Sequence, residues 1–235
     1  MLVRVRALVM FAKVPRPGAV KTRLVPPLSY DQAASLARAF IEDTSTALVT
    51  AARAVGGEPV TFYTPHDGEA EMRALLAHGV RPYAQSGRDL GERLTAAYRQ
   101  LAEAGRESVC FVGADSPTLP HGCIVNAFTA LHAGSDVVLG PATDGGCYLI
   151  GLRNAHVGVF AGIDWSTERV FAQMRRRTAA LGLAITVLQS WYDVDDAASL
   201  WRLREELLTT NSGVERGDEA PKTRAFLTSL VHKGA

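Results

Sequence analysis

Apolar runs rich in Val, Ile and aromatic residues alternate along the chain with longer segments of helical periodicity. This alternation is typical of βαβ units, which build a mostly parallel sheet covered by helices. Strands are predicted at residues 5–12, 59–63, 80–84, 108–112, 136–139, 147–152 and 184–188. Helices are predicted at residues 30–54, 68–77, 90–104, 122–132, 166–181 and 196–208. The pattern therefore favours an α/β, Rossmann-like three-layer αβα sandwich.

The length of 235 residues and the apolar content of 47% fit one large core. We predict a single catalytic domain at residues 1–208. Residues 209–220 are polar and lack a hydrophobic period, so residues 209–235 are predicted to form a linker and a short C-terminal segment.

The charge of the chain is nearly balanced, since 25 Lys and Arg residues face 24 Asp and Glu residues. Nucleic-acid-binding proteins usually carry a basic face and a high pI, so no nucleic-acid partner is expected. The positive charge is local instead, because the first thirty residues contain cations and no acid: Arg4, Arg6, Lys13, Arg16, Lys21 and Arg23. A small anionic ligand fits this distribution better.

The cysteine pattern favours a reducing compartment. Cys110, Cys123 and Cys147 are an odd number without C-x-x-C spacing, so neither a disulfide framework nor a zinc site is predicted. The first apolar run ends at Lys13 and is too short for a signal peptide, and no run approaches the length of a membrane span. We expect a cytoplasmic protein without a membrane span.

The first candidate site is the basic loop, residues 13–23, which follows the first predicted strand. Ligands of open α/β sheets bind beyond the carboxyl ends of strands. Gly18 permits close backbone approach, and Lys13, Lys21 and Arg23 can give phosphate charge-assisted hydrogen bonds. The loop is not a Walker P-loop, because no Gly directly precedes the Lys. A solvated basic turn is the alternative, and the position after a strand favours phosphate binding.

The second candidate site follows the predicted strand at residues 108–112. Asp115 would lie at the carboxyl edge of the sheet, where a carboxylate can bridge a divalent metal ion to phosphate oxygens. Gly113 would let a ligand come close. The alternative is that Asp115 only satisfies N–H groups of the turn.

The third candidate site is the glycine turn, Asp144, Gly145 and Gly146, which precedes Tyr148. Its glycines expose backbone amides and leave room for a substrate. The side chain of Tyr148 could form one wall of that site. Asp-Gly is also a strong hairpin signal, so a plain turn is the alternative.

The fourth candidate site is the acidic turn, residues 193–196. Asp195 or Asp196 can cap the last helix, which leaves Asp193 as the spare carboxylate. Because a parallel sheet gathers such turns at one edge, we expect Asp115 and Asp193 to hold a metal ion opposite the basic loop. Carboxylate ligands favour Mg²⁺ or Mn²⁺.

Residues 85–93 form a further polar loop with two glycines. A plain entry into the following helix is the favoured interpretation, and recognition of a base or ribose is the alternative.

The order and spacing of these motifs resemble the bacterial nucleotide-diphospho-sugar transferases of GT-A fold, a group often labelled as arsenosugar-biosynthesis-type glycosyltransferases. Phospholactate and molybdenum-cofactor guanylyltransferases are similar to this group. The motifs are Phe11-Ala12-Lys13 with Pro17-Gly18, Lys21-Thr22-Arg23-Leu24, Gly113-Ala114-Asp115-Ser116-Pro117, Asp144-Gly145-Gly146-Cys147-Tyr148-Leu149-Ile150-Gly151-Leu152, Ile163-Asp164-Trp165-Ser166-Thr167 and Asp193-Val194-Asp195. They span about residues 5–208. Cys147 departs from the group, in which an aromatic residue is expected.

The resemblance implies that the mostly parallel sheet is of the GT-A type and that Lys21 and Asp115 are catalytic. It implies a metal site at Asp115 with Asp193 or Asp195. A substrate would contact Asp144, Gly145, Gly146 and Tyr148. The nucleotide would contact Ala12, Lys13, Gly18, Lys21, Arg23, Gly113 and Asp115.

Three functions remain open at this point. The first is a metal-dependent glycosyltransferase that uses a nucleotide-diphospho-sugar and a small-molecule acceptor, as the resemblance implies. The second is a nucleotidyltransferase that joins a nucleoside triphosphate to a small phosphorylated acceptor and releases pyrophosphate, which the concentrated positive charge favours. The third is a non-catalytic nucleotide-binding module, which has no need of the carboxylates.

Overall fold

The computed structural model describes residues 5–154, 156–209 and 217–233. The described residues contain seven strands and seven α-helices. The strands are β1 (Val5–Lys13), β2 (Gly57–Thr64), β3 (Arg81–Ala84), β4 (Arg106–Gly113), β5 (Val137–Pro141), β6 (Cys147–Arg153) and β7 (Ile185–Val187). The helices are α1 (Tyr30–Val55), α2 (Glu69–Arg73), α3 (Leu90–Glu103), α4 (His121–His132), α5 (Val170–Ala180), α6 (Ala197–Leu208) and α7 (Pro221–Lys233).

All seven strands form one sheet in the order β3-β2-β1-β4-β6-β5-β7. Neighbouring strands are parallel except β6, which is antiparallel to β4 and β5. The chain adds β2 and β3 on one side of β1 and then places β4 on its other side. The carboxyl ends of β1 and β4 therefore border a topological switch point, where open α/β sheets bind their ligands.

The central strands are buried on both faces, so their side chains alternate between two apolar cores. Leu8 and Met10 of β1 point into the core beneath α1, α4, α6 and α7. Ala7 and Val9 point into the core beneath α3 and α5. Helices thus cover both faces of a mostly parallel sheet, and the predicted three-layer α/β fold is confirmed.

Two helices have a boundary that differs by more than one residue from the prediction. The second helix ends at Arg73, four residues before its predicted end at residue 77. The fifth helix begins at Val170 rather than at residue 166, because Ser166 has a φ of 65°, which lies outside the helical region.

The last helix, α7, packs against α1 and α6, and a buried carboxylate of α1 binds its first turn. Asp43 of α1 accepts hydrogen bonds from the backbone N–H groups of Lys222 (3.1 Å) and Thr223 (2.8 Å). The carboxylate satisfies two free N–H groups of the first turn and opposes the helix dipole. Most of the linker predicted at residues 209–220 lies outside the described residues, and the division at residue 208 stays a prediction.

No helix among the described ranges has the length and apolar character needed to cross a membrane. Cys110, Cys123 and Cys147 form no disulfide with one another.

We predict that replacing Asp43 by Ala loosens α7. The substitution leaves two buried N–H groups without an acceptor, which costs about 2 kcal/mol of the free energy of unfolding. For a chain of this size the melting temperature should fall by about 4–8 °C. Asp43→Asn keeps one acceptor oxygen and should lose less, and the exposed Thr46→Ala on the same helix is the control. Equal melting temperatures for Asp43→Ala and Thr46→Ala would contradict this account.

Candidate functional site

The four candidate segments meet at one edge of the sheet. Phe11 near the end of β1 pairs with Gly113 at the end of β4, so the basic loop and Asp115 leave the sheet side by side. The glycine turn joins β5 to β6 at the same edge, and Thr143 beside it donates a backbone hydrogen bond to the carbonyl of Trp191 (2.9 Å). The acidic turn begins two residues after Trp191.

The basic loop, Asp115 and Asp195 enclose a cavity of about 270 Å³. Its apolar wall comes from α1, including Phe40, and its floor includes Ala12 at the end of β1. The cavity therefore combines a buried apolar wall with charged groups of both signs.

Lys21 is the central cation of this cavity. Its side chain is only 7% exposed, and its Nζ lies 2.5 Å from Asp115 Oδ1 and 2.8 Å from Asp195 Oδ1. The ammonium also donates to the carbonyl of Val194 (2.7 Å) and lies 5.5 Å from the ring centre of Phe40. One cation thus joins the loops that follow β1 and β4 to the acidic turn.

The backbone of Lys21 is in the left-handed region, with a φ of 48°. This conformation is uncommon for a residue with a side chain. Burial by itself lowers the pKa of Lys21, but the opposing charges of Asp115 and Asp195 outweigh it and raise the pKa. The side chain therefore stays protonated between its two carboxylates.

Asp193 lies near Asp115 and Asp195, and the pKa of its carboxyl group is strongly shifted. Burial raises its pKa to about 7, and the charges of Asp115, Asp195 and Asp144 act in the same direction. The Ser116 hydroxyl donates to Asp193 and opposes that shift. The site thus holds more carboxylates than Lys21 alone can balance.

No group of three or more His, Cys, Asp or Glu side chains in the described part of the chain is close enough to enclose a metal ion. Asp115 and Asp195 are instead bridged by Lys21, and Asp193 is held by Ser116. The chemistry of these groups nevertheless fits Mg²⁺ or Mn²⁺, because hard divalent cations take carboxylate oxygens as ligands.

The remaining cations of the basic loop divide into two kinds. Lys13 and Arg23 are exposed and line the cavity. Arg16 is engaged elsewhere, since its guanidinium binds Glu71 (2.6 Å) and Asp67 (3.2 Å) and so anchors the loop to α2 and the turn before it.

The two predicted glycines serve the geometry of their loops. Gly18 has a φ of 73° and does not line the cavity, so it turns the basic loop. Gly113 is exposed, and a Cβ placed on it would meet nothing nearer than 3.8 Å, which leaves open space above the end of β4.

The glycine turn is closed by its own carboxylate. Asp144 Oδ1 accepts a hydrogen bond from the N–H of Gly146 (2.8 Å), and Gly145 has a φ of 91°. A Cβ on Gly145 would lie 2.1 Å from the carbonyl oxygen of Glu168, so only glycine fits. Substrate contacts by this turn stay a prediction.

Tyr148 belongs to the core rather than to an open wall. It is 2% exposed, its ring covers Gly140, and its hydroxyl donates to the carbonyl of Gln189 (2.9 Å). Its predicted contact with a substrate has no support from this position.

Burial and the charges of Asp193 and Asp144 raise the pKa of Cys147 to about 12, so this thiol stays protonated at neutral pH.

Asp195 and Asp196 have separate roles. Asp196 caps α6 by accepting a hydrogen bond from the N–H of Ser199 (2.8 Å), and the Ser199 hydroxyl reaches back to the N–H of Asp196 (3.1 Å). Asp195 is therefore free to bind Lys21. The D-x-x-S spacing of this capping box is the sequence signal that distinguishes the two residues.

The loop at residues 85–93 enters α3 as predicted, since Asp89 Oδ1 accepts a hydrogen bond from the N–H of Glu92 (2.8 Å). It also borders a second cavity of about 620 Å³, whose other wall includes Phe160 and Trp165. Gly91 is required there, because a Cβ would lie 2.4 Å from the Trp165 indole nitrogen. Sequence reasoning did not identify this cavity, because its walls lie far apart in the chain.

Many solved structures share the fold, including the following three. A protein from Desulfovibrio desulfuricans G20, provisionally named a nucleotide-diphospho-sugar transferase, is 31% identical, with a TM-score of 0.81 over 97% of this chain and 95% of that chain. CMP:2-keto-3-deoxy-manno-octonic acid synthetase in complex with CTP is 10% identical, with a TM-score of 0.55 over 85% of this chain and 96% of that chain. The manganese complex of Rv0371c from Mycobacterium tuberculosis H37Rv is 13% identical, with a TM-score of 0.51 over 86% of this chain and 98% of that chain.

A comparison with curated protein sequences finds no match. The family model described as "Uncharacterized protein conserved in bacteria (DUF2064)" matches residues 47–167. The structural likeness is consistent with a transferase. The chain belongs to the DUF2064 family and has the fold of the nucleotide-diphospho-sugar transferases, as its motifs predicted.

Proposed function

We propose that the protein is a metal-dependent transferase that takes a glycosyl group from a nucleotide-diphospho-sugar. The observation that carries this proposal is the cluster of Lys21, Asp115 and Asp195 at the adjoining ends of β1 and β4. A diphosphate needs cations in such a crevice, and the exposed Lys13 and Arg23 supply two more beside the cluster.

The chain's own groups have separate tasks in this proposal. Lys13 and Arg23 bind the phosphate oxygens from the mouth of the cavity, while Ala12 forms part of its floor. Lys21 lies at the inner end, where it offsets the negative charge that develops on the departing nucleoside diphosphate. The open space above Gly113 lets the donor approach Asp115.

Asp115, Asp193 and Asp195 would hold Mg²⁺ or Mn²⁺. A bound divalent ion polarises phosphate oxygens and stabilises a leaving phosphate. The fold shared with a manganese complex from Mycobacterium tuberculosis supports this choice of metal. The oxygens of Asp115 and Asp195 that now contact Lys21 would be shared with that ion, and the Lys21 ammonium would face the phosphates beside it.

Nucleotidyl transfer is the second candidate. In this reaction a phosphorylated acceptor attacks the α-phosphate of a nucleoside triphosphate, and pyrophosphate leaves. Three cations around one cavity favour it, because a triphosphate carries more negative charge than a diphospho-sugar. The fold shared with a synthetase in complex with CTP supports the same reaction class. In both reactions we infer that the glycine turn contacts the acceptor.

We predict that Lys21→Met destabilises the metal-free protein and makes it more responsive to metal. The substitution leaves Asp115 and Asp195 without their shared cation. Because both carboxylates are about half exposed, the loss should be about 1–2 kcal/mol, or roughly 2–8 °C in melting temperature. Mg²⁺ should restore more stability to this variant than to the wild type. Lys13→Met, at an exposed position, is the control. If Mg²⁺ stabilises Lys21→Met no more than the wild type, Asp115 and Asp195 are not metal ligands.

We predict that Asp115→Asn loses turnover by at least about 100-fold, because the amide keeps the shape of the turn and removes the charge that would hold the metal ion at the phosphates. The melting temperature should change little. Asp196→Asn is the matched control, since Asn is an equally good helix cap and Asp196 does not contact Lys21. If Asp115→Asn unfolds while its folded fraction keeps full activity, Asp115 is a structural turn residue.

We predict that the products separate the two reactions. The protein is incubated with Mg²⁺ and either nucleoside triphosphates or nucleotide-sugars, with and without phosphorylated acids, and pyrophosphate and free nucleotides are measured. Cleavage of a nucleotide-sugar that Asp115→Asn abolishes is the expected result. Pyrophosphate formed only with a phosphorylated acid would replace glycosyl transfer by nucleotidyl transfer. Nucleotide binding without either product would favour a non-catalytic module.

A further inference from the structure

Glu206 is a buried carboxylate on the inner face of α6, with 4% of its surface exposed. Its Oε2 accepts a hydrogen bond from the Tyr192 hydroxyl and a longer one from the Thr118 hydroxyl (3.4 Å). Its Oε1 accepts a hydrogen bond from the N–H of Gly217 (2.9 Å). One carboxylate therefore joins three segments that are distant in sequence.

Two of these segments carry the carboxylates of the candidate site. Thr118 lies three residues after Asp115, and Tyr192 directly precedes Asp193. On the cavity side the same two turns are joined by the Val194 N–H, which donates to the carbonyl of Asp115 (2.9 Å). Glu206 joins them again from the core side, so each turn is held at two points.

The third segment is the C-terminal strap, residues 217–220. Asp218 donates its N–H to the carbonyl of Thr118 (2.9 Å), and its carboxylate binds the N–H and the ring Nδ1 of His121, both at 2.7 Å. A Cβ on Gly217 would lie 1.7 Å from the Thr118 carbonyl oxygen, so only glycine fits at this crossing. The strap thus packs against the loop that carries Asp115 and is hydrogen-bonded to it.

We propose that Glu206 is a positioning residue that fixes the turns of Asp115 and Asp193 relative to each other, with the C-terminal strap as its clamp. A buried carboxylate is costly unless its lone pairs are satisfied, and here a hydroxyl and an N–H oppose separate oxygens. Charge-assisted bonds of this kind are stronger than neutral ones, so they suit a joint between catalytic turns. The proposal rests on the proposed function, because it assigns these turns to metal binding.

Glu206→Gln tests the joint directly. A carboxamide has one oxygen, so it can accept from Tyr192 or from Gly217 but not from both through oxygen. Hydrogen exchange of the backbone amides is measured below the melting temperature in the metal-free protein. We expect exchange to rise roughly 10-fold in both turns, at Leu119 and at Val194, the size expected for one lost charge-assisted bond. Exchange that rises only in the strap, or nowhere, would overturn the proposal.

A matched control separates positioning from general stability. Leu139→Ala removes a fully buried side chain from the core on the face of the sheet opposite α6. It should lower the melting temperature and leave exchange at Leu119 and Val194 as in the wild type at temperatures where the protein is folded. The same local increase in this control would overturn the proposal.

Gly217→Ala provides an independent variant, because its Cβ displaces the strap while Glu206 and Tyr192 remain. We expect exchange to rise more in the loop of Asp115 than at Val194. Equal exchange in this variant and the wild type would remove the strap from the proposal.

Binding of Mn²⁺, followed by electron paramagnetic resonance, provides the functional measurement. Glu206→Gln should bind Mn²⁺ roughly 10-fold more weakly than the wild type, whereas Leu139→Ala should bind it unchanged. Unchanged affinity in folded Glu206→Gln would overturn the positioning role. If the wild type binds no Mn²⁺, the proposed metal-dependent function fails, and the exchange measurements still decide whether Glu206 fixes the two turns.

Discussion

The ion pairs of Lys21 with Asp115 and Asp195 are the contacts on which the candidate site depends. They join the loop after β1, the loop after β4 and the turn before α6, so three stretches of chain meet at one ammonium group. The sheet makes this possible, because the order of strands places the ends of β1 and β4 side by side. The lysine is buried while its carboxylates are about half exposed, so one side of each carboxylate faces solvent.

The charges of the site are balanced only in part. Burial raises the pKa of Asp193 to about 7, and the charges of Asp115, Asp195 and Asp144 act in the same direction, although Lys21 lies among these carboxylates. Lys13 and Arg23 bring positive charge to the mouth of the same cavity. In the proposed function, the carboxylates would bind a metal ion and the cations would bind phosphate oxygens, so the two kinds of charge in this cavity have separate partners.

The sequence carried enough information to predict the fold class and the edge of the sheet at which the candidate residues meet. Apolar runs and helical periodicity are local patterns, so the seven strands were predictable from the printed residues alone. The burial of the Tyr148 side chain could not be predicted in this way, because its direction depends on the register of β6 against Gly140 of β5. The hydrogen bonds between Asp43 and the first turn of α7 were missed for a similar reason, since they join residues about 180 positions apart.

The candidate site extends beyond the region that defines the family. Residues 47–167 include Asp115 and the glycine turn, whereas Lys21 lies before this region and Asp193, Asp195 and Glu206 lie after it. The matched region contains Asp115 but not Lys21, which is its ion-pair partner. It also lacks Val194, whose N–H donates to the backbone carbonyl of Asp115. Because an unpaired carboxylate on a loop has no fixed position, the chemistry of this edge belongs to the whole α/β domain. The C-terminal strap extends that dependence to the last helix, which docks on α1 and holds the strap against the loop of Asp115.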